Sequence, residues 1–508
     1  MLIAIIIFLS AFSYLAWRRL DWALLVVIAG LPTYLIRFKI FGLPLTLLEA
    51  MILLAGAIWL VHNFWPANKI FLLDIWEKLK SGRWPKERLK RPAGRQPYPY
   101  AWEIIILLII SLLAAGLSAF SPGALGIWKA YFFEPILLFI LLLNVFKNKK
   151  DIPKIFGALA IAAGLISLFA LWQKFSGQFI ANPFWQEADT RRVVSVFGYP
   201  NAVGLYLAPL IMIFSGWLVT VWKKSRALSL ALIMTIILSV LAIYYARSDG
   251  ALAALVGAGL IFGLAATRRT RVISIIILIA ALGSFYFYSP FNNFSNKENS
   301  RGQKRANYLL EKITLNDLSG EIRKQQWQES WEMLKGGRLL SGAGLNNYQS
   351  TVAPYHQEGI FFNFDKRPNF DAVVWASSTL REMYWQPVEI YLYPHNIFLN
   401  FWSELGLVGL LLFIWLIAKF LFINGRLARI MALKGQPEKY WLLGLLGAML
   451  TVIIHGLVDV PYFKNDLAAM FWIILALGAI LEMNHRLGPP ATNGSQEKEE
   501  TTALETKY

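Results

Sequence analysis

Long apolar stretches alternate along this 508-residue chain with short polar joints. Residues 104–117, 152–172 and 397–417 carry no charge except Lys154 and Glu404. A helix rises ~1.5 Å per residue, so ~20 residues cross a ~30 Å hydrocarbon core. Lipid cannot satisfy exposed backbone groups, which makes bundled helices the expected solution. The pattern predicts about thirteen helices, over residues 2–17, 21–36, 43–61, 101–119, 128–146, 152–173, 200–222, 228–246, 250–266, 272–289, 396–419, 441–459 and 465–483. The first two are short, and the count becomes twelve if they form a re-entrant pair. The fold class expected is all-α, a polytopic transmembrane bundle with one long extracytoplasmic loop.

Five regions follow. Residues 1–100 hold the N-terminal helices and a basic cytoplasmic loop, 101–289 a central bundle, and 290–395 the extracytoplasmic loop. Residues 396–485 hold the last helices, and 486–508 form a polar tail expected to be disordered and cytoplasmic. The first helix has no basic n-region or small-residue cleavage site, so it reads as retained. Within the long loop, Trp327, Trp331 and Leu334 recur at helical spacing, an amphipathic helix that could lie over the bundle as a lid. The absence of an internal repeat disfavours inverted-repeat transporter folds.

Composition agrees with the pattern: 57% of residues are hydrophobic and only 16% charged, whereas soluble domains carry about a quarter charged residues. The net charge of +18 could suggest nucleic acid, but its distribution does not. Residues 66–100 carry nine Lys/Arg against three Asp/Glu, and further basic clusters fall at 147–150, 223–226, 268–271 and 426–439. They mark alternate ends of the apolar blocks, which is the positive-inside pattern of a membrane protein. The partner implied is a lipid bilayer, with no nucleic acid. There is no cysteine, which excludes disulfides and thiolate metal sites.

Polar residues that lipid disfavours are the candidates for chemistry. Arg191 and Arg192 precede the seventh helix on the predicted outer side, followed by Gly198, Pro200 and Asn201. Such arginines commonly snorkel to lipid phosphates; guanidinium beside a bent helix start with free N–H groups also suits a pyrophosphate. Arg247 ends the eighth helix at a tight hairpin, where it could pair with Asp249 or share an anion with the first arginines. His395 follows Pro394 where the long loop re-enters the membrane, and it heads a stripe of Asn396, Asn400 and Glu404 at intervals of four. A lone histidine is usually a satisfied core residue, but imidazole at the top of a polar stripe can move a proton near neutral pH. His455 and Asp459 share a face of the next-to-last helix and read foremost as a helix-holding pair. No metal, P-loop or dinucleotide motif occurs, so no metal or cofactor is expected.

Together these residues resemble the O-antigen ligase and O-antigen polymerase superfamily of membrane glycosyltransferases. The resemblance lies in Arg192, Gly198, Pro200 and Asn201, Arg247 at its hairpin, and Trp327 and Trp331 followed by Gly342 and Gly344. It continues through Pro394, His395 and Asn396, then 403–406, then His455 and Asp459, in that order over roughly residues 101–482. It implies an undecaprenyl-diphosphate-linked glycan as donor and a glycan, lipid or protein hydroxyl as acceptor. Transfer would occur on the outer face of a bacterial cytoplasmic membrane, with diphosphate held by Arg192 (or its neighbour Arg191) and Arg247, and with His395 essential. Two guanidiniums could stabilise the leaving diphosphate without Mg²⁺, and His395 could accept the acceptor proton with inversion at the anomeric carbon. The tryptophans of the lid would close over the sugar.

A transporter or flippase of lipid-linked saccharide would also need outer cations and a polar interior. Its polar residues should reach both membrane faces, whereas those here cluster in the predicted outer half. The topology itself is testable in this thiol-free chain. A cysteine placed within residues 66–100 should resist an impermeant label in intact cells, and one within 289–395 should react. The reverse labelling would overturn the orientation.

Overall fold

The computed structural model describes residues 2–40, 42–63, 99–288, 311–312 and 314–487. The basic loop within 66–98, the first part of the long loop (289–310) and the polar tail from 488 lie outside the described residues.

The chain is an all-α polytopic bundle. In chain order its principal helices are α1 (Leu2–Arg18), α2 (Leu20–Ala29), α3 (Leu47–Asn63), α4 (Ala101–Leu117), α5 (Pro122–Val145), α6 (Ile152–Ser176) and α7 (Pro200–Val221). They continue with α8 (Arg226–Ala246), α9 (Asp249–Ala266), α10 (Arg268–Tyr288), α11 (Leu318–Met333), α12 (Ile397–Leu433), α13 (Lys439–Gly456) and α14 (Asn465–Leu487). Eight of the described helices are long and apolar enough to cross a membrane, and α1 to α4 are shorter apolar helices. Many of their large apolar side chains face outward, such as Ile161, Leu165 and Leu168 on α6, as expected of a surface solvated by lipid.

The second predicted span, 21–36, is interrupted. Helix α2 stops at Ala29 because Gly30 and Pro32 follow, and a 3₁₀ turn (Leu31–Leu35) replaces it. The chain then forms a hairpin of β1 (Arg37–Ile40) and β2 (Leu43–Thr46), with Arg37 opposite Thr46. The start predicted for the third helix, at residue 43, is therefore strand, and α3 opens only after it. Ten residues of α2 rise ~15 Å, about half the hydrocarbon thickness.

Helices α7 and α14 are the most enclosed of the bundle. Helix α7 packs on α13, α8 and α6. Gly216 of α7 meets Gly444 of α13 so closely that a side-chain carbon at Gly216 would collide with the Tyr440 carbonyl. Small residues let membrane helices approach backbone to backbone in this way. Inside α5 the helix widens to a π turn at Lys129–Phe133, and the Tyr131 carbonyl there accepts a hydrogen bond from the Tyr462 hydroxyl at 2.8 Å.

Helix α12 is broken within the bundle. Gly406 sits at φ 76°, ψ −177°, a conformation essentially reserved for glycine. The segment after α11 fills the break: Ala343 N–H donates to the Ser403 carbonyl (2.6 Å) and Leu407 N–H to the Leu340 carbonyl (3.2 Å). Trp402 Nε1 donates to the Leu339 carbonyl (2.7 Å), and the Asn346 amide donates to Glu404 Oε2 (3.0 Å). On the far side, Leu345 N–H reaches the Ala114 carbonyl at the end of α4, and Ser118 Oγ reaches the Leu345 carbonyl. The long loop is thus stitched into two membrane helices.

Gly406→Ala should be strongly destabilising, by on the order of 1–3 kcal/mol or more. The new methyl would be driven into the Leu340 carbonyl as well as a forbidden φ. Thermal unfolding in detergent checks this; an unchanged midpoint would show that the break is not fixed by this glycine.

Candidate active site

The ends of α8 and α13 meet the starts of α7, α9 and α12 at one end of the bundle. Extended chain before α12 crosses over them. Between these elements lies a cavity of ≈ 460 Å³, lined by Trp185, Arg192, Tyr199, Pro200, Asn201, Gln349, residues 389–393, His395 and Asp459.

A line of polar contacts runs along its wall. Arg192 Nε donates to the Ala246 carbonyl (3.0 Å) and Nη2 to the Arg247 carbonyl (3.3 Å), the uncapped acceptors at the end of α8. The same Nη2 donates to Asn201 Oδ1 (3.2 Å), and Asn201 Nδ2 donates to Asp459 Oδ2 (3.2 Å). Asp459 Oδ1 faces His395 Nδ1 at 3.6 Å, an ion-pair distance just beyond a hydrogen bond, and this buried Nδ1 makes no hydrogen bond among the described residues. The N-cap residue Tyr199 makes no side-chain cap to the first turn of α7, and Pro200 and Asn201 bring that helix N-terminus to the cavity.

Electrostatics set the protonation states. Burial works to raise the Asp459 carboxyl, but the facing imidazole of His395, the charge of His455 and the Val460 amide hold it well below the usual carboxylate range. Burial pushes Arg192 down, Asp249 opposes this, and Arg247 is near enough to add to it; a guanidinium stays charged throughout. Burial, with Asp459 beside it, raises the Tyr393 hydroxyl to about 12, and burial also raises the Tyr199 hydroxyl, so both phenols keep their protons.

The candidates from the sequence separate here. Arg192, Asn201, His395 and Asp459 line the cavity together. Arg247 flanks it: the exposed residue adopts a left-handed conformation (φ 51°) as the cap of α8, and its guanidinium donates to the Asp189 carbonyl at 3.1 Å. Asp249, the partner considered for Arg247, takes an ion pair from Lys312 at 3.2 Å. Arg191 points elsewhere, donating to the carbonyls of Gln186 (3.0 Å) and Lys174 (2.9 Å). Asn396 caps α12 through the amides of Phe398 and Leu399 and donates to the Leu457 carbonyl. Asn400 and Glu404 are buried in the bundle as a polar stripe should be, yet neither lines the cavity, and Glu404 holds the inserted loop. His455 is buried against Gly250 at the start of α9. Helix α13 ends at Gly456, so Asp459 stands beyond it in the turn rather than on the helix face expected.

The tryptophans of α11 do not cover the cavity. Trp327 Nε1 donates to the Pro394 carbonyl at 2.8 Å, and Trp331 packs edge-on against Trp402. Arg323 on the same helix donates to the Val458 carbonyl at 2.9 Å, so α11 braces the turns carrying both His395 and Asp459. The buried face of α11 is polar, with Gln325, Gln326, Glu329 and Ser330. The aromatic lining comes instead from Trp185, Tyr199, Tyr391 and Tyr393, which sequence reasoning passed over. A signal was present: Tyr391 and Tyr393 stand within four residues of His395 in the chain, and their rings lie 5.3 and 5.0 Å from the imidazole.

Residues 234–414 match the sequence model of the O-antigen ligase family. Over that stretch the chain is similar to this family, which supports a place in the O-antigen ligase and polymerase superfamily. The matched stretch, a little over a third of the chain, contains Arg247, the inserted loop and His395, while Arg192, Asn201 and Asp459 lie outside it. No curated protein matches the chain significantly. The match and the bundle together support a multi-pass membrane protein similar to O-antigen ligases.

The depressed Asp459 carboxyl has a measurable consequence. A carboxylate whose folded pKa lies below its unfolded value near ~3.9 stabilises the fold fully above that pH and stops doing so as pH falls through the folded value. Asp459→Asn should therefore cost on the order of 1–3 kcal/mol at pH 7, and the gap to wild type should narrow below about pH 4. Thermal unfolding at pH 7 and pH 3 compares the two; a constant gap would show that the carboxylate is not held ionised by the fold.

Proposed function

We propose that this protein is an O-antigen ligase-type glycosyltransferase, which moves a glycan from an undecaprenyl diphosphate carrier to an acceptor hydroxyl on the extracytoplasmic face of a bacterial cytoplasmic membrane. The observation that carries the reading is the row Arg192–Asn201–Asp459–His395 along one cavity, hydrogen-bonded as far as Asp459 and with His395 facing that carboxylate at 3.6 Å. It sets a fixed cation and a helix N-terminus at one end and a proton-accepting imidazole at the other.

The step is an inverting displacement. The acceptor oxygen forms a bond to the anomeric carbon as the bond from that carbon to the diphosphate oxygen breaks, and the electron pair leaves with the diphosphate. Arg192 meets this developing charge; Arg247, at the lip, releases the Asp189 carbonyl to join it. Arg192 is held beforehand by the carbonyls at the end of α8, so it stabilises the leaving group with little reorganisation. Two guanidiniums supply the positive charge that a metal ion supplies elsewhere. The acceptor proton goes to His395. With Nδ1 turned to Asp459, Nε2 is the nitrogen left to accept it, and Asp459 stabilises the imidazolium that forms. The 3.6 Å separation closes by a small ring rotation, as catalytic contacts commonly tighten once substrate binds.

His395→Ala should lower transfer by ~10²–10⁴-fold while donor binding is kept, since the base acts on the acceptor and not on the diphosphate. Arg192→Lys and Arg247→Lys should instead weaken donor binding although charge is retained, because lysine cannot make the planar two-pronged phosphate contact. Donor binding and product mass, measured side by side in reconstituted protein, separate the two classes. Normal turnover by the His395 variant would remove the base assignment, and wild-type affinity in both lysine variants would remove the diphosphate clamp.

A further inference from the structure

We infer that His356 is a pH-sensitive latch, which ties the chain segment 388–394 to α11 while the imidazole carries both its protons and lets go once one is lost. The latch concerns the wall of the cavity and does not rest on the reaction assigned to it.

Segment 388–394 leads into α12 and supplies residues 389–393 of the cavity lining. Three of its carbonyls are held by side chains of the long loop. Val388 is held by His356 Nε2 (3.1 Å), Ile390 by Gln349 Nε2 (2.8 Å) and Pro394 by Trp327 Nε1 (2.8 Å). An amide and an indole keep their protons near neutral pH, whereas an imidazole titrates there.

The other ring nitrogen, His356 Nδ1, faces Glu329 Oε2 of α11 at 3.3 Å. Both partners of the ring are therefore acceptors. A carbonyl can only accept, and Glu329 also accepts on its second oxygen, from Gln325 Nε2 (2.7 Å) and the Gln357 amide (2.9 Å). Two donating ring nitrogens exist only in the imidazolium. When one proton leaves, a lone pair is set against either the carboxylate or the Val388 carbonyl, and one side of the bridge is lost. The pair is largely enclosed, with 11% and 6% of its side chains exposed, so water is poorly placed to replace the missing bond.

The surroundings leave the ring as the group that changes. Tyr348 meets the charge of Glu329, but burial raises its hydroxyl and it keeps its proton. On α11 the nearby cations are engaged elsewhere, Arg323 with the Val458 carbonyl and Lys324 with Glu321. Glu358 and Glu389, adjacent in the chain to the latch contacts, are exposed, where solvent and salt screen them. His395, at the end of the segment, is the other imidazole close by, and it faces Asp459.

The test places a nitroxide on a cysteine introduced at Leu392, an exposed residue of the wall, in the full thiol-free chain in nanodiscs. Its mobility is read by electron paramagnetic resonance from about pH 5.5 to about pH 8.5, across the imidazole range. With His356 and Glu329 intact, the ratio of mobile to immobile label should rise roughly tenfold with pH, the loss of one charge-assisted hydrogen bond. Glu329→Gln sets an amide N–H opposite Nδ1, so a neutral ring satisfies both sides and the label should stay immobile at every pH. His356→Leu should leave it mobile at every pH. Two variants locked in opposite states are not what general loosening produces, and thermal unfolding of each reports that it is folded. Should His356→Leu fail to fold, loss of the pH step in Glu329→Gln decides alone. A label indifferent to pH in the parent, or mobile in Glu329→Gln, would overturn the latch. So would a pH step that survives in both variants, which would belong to His395 or Glu389. None of these outcomes bears on glycan transfer, which turnover of a lipid-linked donor tests separately.

Discussion

A backbone amide or carbonyl inside a lipid-bounded bundle has no water to turn to, and each must find a partner within the protein. Breaking α12 at Gly406 frees such groups in the bundle, and the chain answers by inserting the segment Leu339–Asn346. The rest of the site depends on that exchange. Once the segment is bonded to Ser403, Leu407 and Ala114, the helix before it, α11, is held against the bundle. From there Trp327 and Arg323 grip the carbonyls of Pro394 and Val458. The imidazole and the carboxylate are thus fixed by one polar helix lying across both of their turns.

Two residues at this end adopt backbone conformations usually left to glycine: Arg247 at φ 51° and His395 at φ 46°. Each such residue costs of order 1–3 kcal/mol and persists where surrounding contacts over-determine it. At Arg247 the contacts are the carbonyl taken by Arg192 and the side chain bonded to Asp189. At His395 they are the flanking rings of Tyr391 and Tyr393 and the α11 bond to Pro394. The strain has the geometry of a site set before substrate arrives.

The helices were legible because lipid imposes length and apolarity together, and a block such as 200–222 has no other stable reading. The second block misled because Gly30 and Pro32 sit inside an otherwise apolar run, where backbone chemistry overrules hydropathy. In the site, Arg192 and Asn201 could be singled out because positive charge is disfavoured on the outer side and the run Gly198, Pro200, Asn201 bends the helix start. Nothing in adjacent arginines says which one turns inward; that is decided by the carbonyls of Ala246 and Arg247, far along the chain. Asp459 was undervalued because its spacing from His455 suggested a shared helix face, whereas the helix ends three residues earlier. The loop tryptophans drew attention by their size, yet the tyrosines of an unremarked extended segment form the wall.

Asn201 stands between the guanidinium of Arg192 and the carboxylate of Asp459, accepting from one and donating to the other. Were the two charges in direct contact they would cancel, and an arriving anion would have to break an ion pair before it could bind. A neutral amide conveys position from one charge to the other without conveying neutralisation. It works as an insulator that still holds both ends in register: the cation keeps its appetite for phosphate, and the carboxylate keeps its charge for the histidine.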